Sequence, residues 1–95
     1  MITRLIYVSV PANKVEDALA DWKKVCAPLM VSEPGCVSEK LLRCNDQPNE
    51  FISVSEWESM EAIKAYRVSP AHQKIKDATT EITAQVVVKT YKDVG

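Results

Sequence analysis

The extended segments of this 95-residue chain are apolar on both faces, while its helices suffice to cover only one of them. In residues 1–10 the even positions carry Ile2, Arg4, Ile6, Val8 and Val10, yet Met1, Leu5 and Tyr7 occupy odd ones. In residues 50–57, Phe51 and Trp57 share one face, and Ile52 and Val54 share the other. The run Val86-Val87-Val88 is apolar whichever way it faces. A strand with one wet face alternates between apolar and polar residues. These do not, so the sheet needs a dry cover on each side. A single domain spanning residues 1–95 cannot supply both covers, which points to a second copy of the chain.

Composition narrows the function classes. Hydrophobic residues make up 46% and there are two glycines, which is globular rather than disordered usage. Twelve basic and thirteen acidic side chains leave a net charge of −1, so neither a nucleic acid nor a membrane surface is an expected partner. No apolar run approaches the ~20 residues of a bilayer span, and the first residues read as a strand rather than a leader peptide. Cys26, Cys36 and Cys44 match neither a zinc spacing nor a disulfide framework. Free thiols in a reducing cytoplasm are the expectation, with no metal site and no cofactor.

After the first strand, Asn13 is placed to cap a helix, with Glu16 three residues on. Val15, Ala18, Leu19, Trp22, Val25, Cys26, Leu29 and Met30 then form one stripe at helical spacing. Pro28 must cost this helix a hydrogen bond and bend or fray its end. Strands follow over 36–44 and 50–57, separated by a polar loop. Ser59 caps a short helix with Met60, Ile63 and Tyr66 on one side. Ser69-Pro70 starts another, with Ala71, Ile75, Ala78 and Ile82 inward, and a last strand covers 84–92. The order β-α-β-β-α-α-β is the α+β, ferredoxin-like plan: a four-stranded antiparallel sheet with helices on one face. Two such sheets packed back to back would close a symmetric homodimer, leaving each protomer a compartment between sheet and helices.

The residues Val10-Pro11-Ala12, Glu33-Pro34-Gly35-Cys36, Val54-Ser55-Glu56-Trp57-Glu58-Ser59 with Glu61-Ala62, and Ser69-Pro70-Ala71-His72 resemble the antibiotic biosynthesis monooxygenase family. The resemblance covers essentially the whole chain and implies a dimeric α+β barrel. It also implies oxidation of a quinol-like or polycyclic phenolic compound by O₂ with neither metal nor flavin. Haem degradation, known in a branch of similar fold, rests on an Asn, a Trp and a His. Here the first strand has no Asn, Tyr66 stands at the Trp position, and Lys76 stands near the His position. All three departures count against it.

Cofactor-free oxygenation requires a dry pocket, a base and a hydrogen-bond donor for the substrate anion. His72, the one histidine, lies near a helix N-terminus, where the dipole disfavours its charged form; it reads as a general base or as a surface or capping residue. Tyr66 is a donor or a core phenol. Trp57 and Tyr7 are pocket walls or, respectively, a packing anchor and an interface residue. Arg4 and Arg43 belong to ion pairs with Glu39, Glu50 or Glu56, or anchor a ligand's phenolate or carboxylate. A non-catalytic carrier of a small aromatic ligand and a haem-binding protein remain open on the same fold.

Overall fold

The computed structural model of the chain describes residues 1–79 and 85–95. Its elements run β1 (Ile2–Ser9), α1 (Val15–Asp21), a π-helical turn (Trp22–Cys26), α2 (Ala27–Val31), β2 (Cys36–Arg43), β3 (Glu50–Trp57), α3 (Met60–Arg67), α4 (Pro70–Thr79) and β4 (Gln85–Lys92). The strands make one antiparallel sheet in the order β2-β3-β1-β4. With α1 to α2 counted as one interrupted helix, this is the ferredoxin-like order anticipated above. Ile82 and Ala84, anticipated on the last helix and strand, lie outside the described residues.

Local chemistry accounts for most boundaries. Ser59 Oγ accepts from the Ala62 N–H at 3.2 Å, and Ser69 Oγ accepts from the His72 N–H at 3.2 Å, so both serines cap as expected. Asn13 does not: the chain enters its helix through a 3₁₀ turn, Ala12–Lys14, with no side-chain cap, and the Lys14 N–H bonds the Pro11 carbonyl. Pro28 acts as a widening rather than a break. The Ala27 N–H reaches back to the Trp22 carbonyl, so the helix swells by one residue just where proline removes a donor.

Register decides which side chains meet. Arg4 lies opposite Ser55 and Thr90, and Ile6 opposite Ser53 and Val88. These face the helices, while Leu5, Tyr7, Ile52, Val54 and Val87 point the other way. On β2 an irregularity between Cys36 and Ser38 switches parity, so Cys36, Glu39, Leu41 and Arg43 all fall on the helix side.

Two buried clusters hold the layers together. Met30, Trp57, Ile63 and Tyr66 form one, and Val10, Val15 and Phe51 form the other. The sheet floor between them carries Arg4, Ser53, Ser55 and Glu39 in place of large apolar residues. Helices cannot close down on such a floor as they do on branched hydrocarbon, and a cavity results. Gly35 adopts φ +87°, and a Cβ there would stand 2.4 Å from Ala62 Cβ at the start of α3.

Candidate active site

The cavity between sheet and helices has a volume of about 730 Å³, ample for a flat aromatic compound. Its walls are mainly apolar: Ile6 and Val8 from β1, Leu19 and Met30 from the long helix, Ile63 from α3 and Ile75 from α4. Val86 and Val88 line it on β4 and are about half exposed (54% and 48%). Arg4, Trp22, Ser53, Tyr66 and His72 supply the polar groups turned toward this space, with Arg67 and Lys76 adding positive charge.

His72 and Tyr66 come together there. Their rings meet edge to face with centroids 5.0 Å apart, and Tyr66 in turn packs on Trp57 at 5.2 Å. Partial burial, helped by the charges of Arg4 and Lys76, lowers the His72 pKa below its usual value, against a hydrogen bond to the Arg67 backbone. The balance favours the neutral imidazole. Burial likewise pushes the Tyr66 phenol up to about 12, with the nearby Arg4 guanidinium opposing the rise. A phenol held that far above neutrality is an obligate proton carrier, and hence a donor.

The other anticipated site residues lie elsewhere. Trp57 is fully buried behind Tyr66, its indole N–H given to Ser55 Oγ at 2.8 Å, so it supports the wall without forming it. Tyr7 points to the helix-free face, because odd positions of β1 pair there with Ile52 and Val87. Arg43 is exposed at the sheet's end, where its Nε donates to the Pro48 carbonyl at 2.8 Å and its guanidinium covers Phe51.

Of the polar floor, sequence reasoning singled out Arg4, with Glu39 as one ion-pair partner, and missed Ser53 and Ser55. Arg4 is only 5% exposed, and its Nη1 has no hydrogen-bond partner among the described residues. Ser53 donates to Glu39 Oε1 at 2.6 Å. Burial raises the Glu39 carboxyl to about 7, although the Ser53 hydrogen bond and Arg4 charge oppose it. Trp22 Nε1 lies close enough to temper that carboxyl, yet neither it nor Glu39 Oε2 makes a hydrogen bond of ordinary geometry among the described residues. The available signal was the pair Ser53 and Ser55 between Phe51 and Trp57, polar residues on what reads as a core face.

Cys26 is buried and its thiol is pushed up to about 11 by desolvation, so it behaves as a small apolar residue. Among the described residues no group of three or more His, Cys, Asp or Glu is placed to hold a metal ion, and no helix is long and apolar enough to cross a membrane.

Fold and cavity together define a ferredoxin-like α+β protein with a mainly apolar, partly open cavity between sheet and helices. Residues 1–78 match the family model for antibiotic biosynthesis monooxygenase, and the chain belongs to that family. Solved structures agree on the fold. A protein of Nitrosomonas europaea carrying the family's name superposes with a TM-score of 0.85 at 19% identity, covering 100% of both chains. A Bordetella bronchiseptica protein of the same name gives 0.90 at 22% identity, over 98% of this chain and 96% of that one. One from Deinococcus radiodurans gives 0.88 at 17%, over 100% and 94%. No curated protein matches the sequence.

Proposed function

We propose that the protein is a cofactor-independent monooxygenase acting on a quinol-like or polycyclic phenolic compound. The observation that carries this reading is the cavity of about 730 Å³, walled mainly by hydrocarbon, with the imidazole of His72 and the phenol of Tyr66 on its lining, their centroids 5.0 Å apart. His72 would take a proton from the bound substrate. Tyr66 would hold the oxygen of the resulting anion, whose electron-rich ring then passes an electron to O₂. Dry walls protect the intermediates from water. One oxygen atom enters the product and the other leaves as water, the substrate supplying the electrons.

The working unit we propose is a homodimer. The helix-free face exposes Tyr7, Leu42, Val87 and Tyr91, and partly exposes Leu5, Ile52 and Val54. That patch continues across all four strands and calls for a matching sheet. The test of function is oxygen uptake by the purified protein with a panel of naphthohydroquinones and anthrones in the presence of a chelator. Incorporation of one atom of ¹⁸O from labelled O₂ into product supports the reading. Tight binding of these compounds without turnover would leave a carrier in its place.

A further inference from the structure

Resting on the reading that the cavity takes a phenolic ligand, we infer that this ligand is also an acid: a hydroxyaromatic carboxylate whose carboxylate is held by the guanidinium of Arg4.

The lining is sorted by charge. Among the described residues it carries Arg4, Lys64, Arg67 and Lys76 and no Asp or Glu, although the chain holds thirteen acidic side chains to twelve basic ones. Lys64, Arg67 and Lys76 are exposed, where solvent screens them, and they serve to draw an anion in. Arg4 differs. It belongs to the floor at 5% exposure, with Nη1 lacking a hydrogen-bond partner among the described residues. A buried cation in that condition is costly, and a bound anion removes the cost.

Glu39 does not fill this role. It flanks Ser55 from β2 as Arg4 does from β1. Its Oε1 accepts from Ser53, while its Oε2 has no partner among the described residues, so the two orphaned atoms do not answer each other. Burial also raises its carboxyl to about 7, which leaves only part of a negative charge there at neutral pH. The Arg4 guanidinium lies 5.6 Å from the centre of the Tyr66 ring, so the group that would hold the ligand hydroxyl and the one that would hold its carboxylate are neighbours. A ring bearing adjacent hydroxyl and carboxylate groups suits both, and a planar guanidinium matches a carboxylate in shape. The carboxylate stays ionised throughout and the hydroxyl proton still goes to His72. Arg4 is thus a specificity-determining residue with no part in proton transfer.

The experiment compares 3-hydroxy-2-naphthoate with 3-hydroxy-2-naphthamide, the same skeleton without the charge, by calorimetric titration of the full chain at about pH 7.5, where the acid is ionised. The native protein is expected to bind the acid about tenfold or more tighter than the amide, and to keep that ratio in about 1 M NaCl because the contact is buried. Arg4→Gln should cost the acid about tenfold or more and leave the amide within about twofold, and Arg4→Lys should recover part of the loss. Circular dichroism checks that each variant folds; if Arg4→Gln does not, the native ratio at high salt and its change in Arg4→Lys decide. Equal or tighter binding of the amide overturns the inference and leaves the proposed function standing. So does a preference for the acid that vanishes in high salt or survives Arg4→Gln, since the exposed cations would then set it. Arg4-dependent binding of the acid by a protein that takes up no oxygen with any hydroquinone supports the anchor and removes the monooxygenase. If neither compound binds, the cavity reading falls and takes the anchor with it.

Discussion

The imidazole of His72 stands edge-on to the phenol of Tyr66, with centroids 5.0 Å apart and ring planes at 77°. Each ring comes from a different helix, and each helix start is fixed by a serine cap. The pair is thus set by backbone chemistry local to α3 and α4 and by the packing of Tyr66 on Trp57. Removing the Tyr66 hydroxyl alone leaves that packing in place. Tyr66→Phe is expected to lower kcat by about 10²-fold, as loss of one oxyanion donor does, with a stability change of about 1 kcal/mol. Oxygen-uptake kinetics and thermal melting measure the two.

His72 sets a pH limit. Its lowered pKa means the folded chain loses this proton at a lower pH than the unfolded chain, so a base at this position stays available down to below pH 6.5. Under the proposed role, kcat/KM should fall in acid with a midpoint below 6.5, and His72→Ala should remove about 10²-fold or more of the rate. A pH–rate profile of both proteins checks this.

Glu39 reverses the sign. Its carboxyl rises from 4.5 to about 7 on folding, so between those values the folded chain holds a proton that the unfolded chain has released. Stability therefore falls as pH rises through that window and levels above it. With allowance for solvent screening of a half-buried group, the loss is about 1–2 kcal/mol. Glu39→Gln should flatten the slope, which denaturant titrations at several pH values would reveal.

The helix-free face gives an independent prediction. Val87 is 51% exposed and pairs with Tyr7 in the middle of that surface. Val87→Glu should leave the monomer folded and convert the proposed dimer to monomer at micromolar concentration. Sedimentation velocity distinguishes them; a native protein that already runs as a monomer would remove the dimer from the account.

How much of this was readable beforehand depended on whether the signal was local. Ser59 and Ser69 were legible because a cap and the following stripe, with Pro70 after Ser69, lie within a few residues. Asn13 was not, because a 3₁₀ turn from Pro11 competes for the same backbone donors. The long helix was evident, but not the π turn by which it absorbs Pro28. Glu39 was visible only as an ion-pair partner: the irregularity between Cys36 and Ser38 resets which side chains face inward, and pairing alone reveals it. Tyr7 and Arg43 depended on the same non-local information. His72 and Tyr66 were identified by type and helical position, while their approach to each other depends on how two helices pack.

Gly35 bears on any attempt to widen the compartment. Position 35 has room for no more than a hydrogen against Ala62, so the turn before β2 acts as a stop for the helix bearing Tyr66. Trimming side chains along the walls would therefore lengthen or broaden the space without raising its ceiling. Redesign for thicker, non-planar compounds has to begin at this remote glycine–alanine contact, well away from the reacting groups.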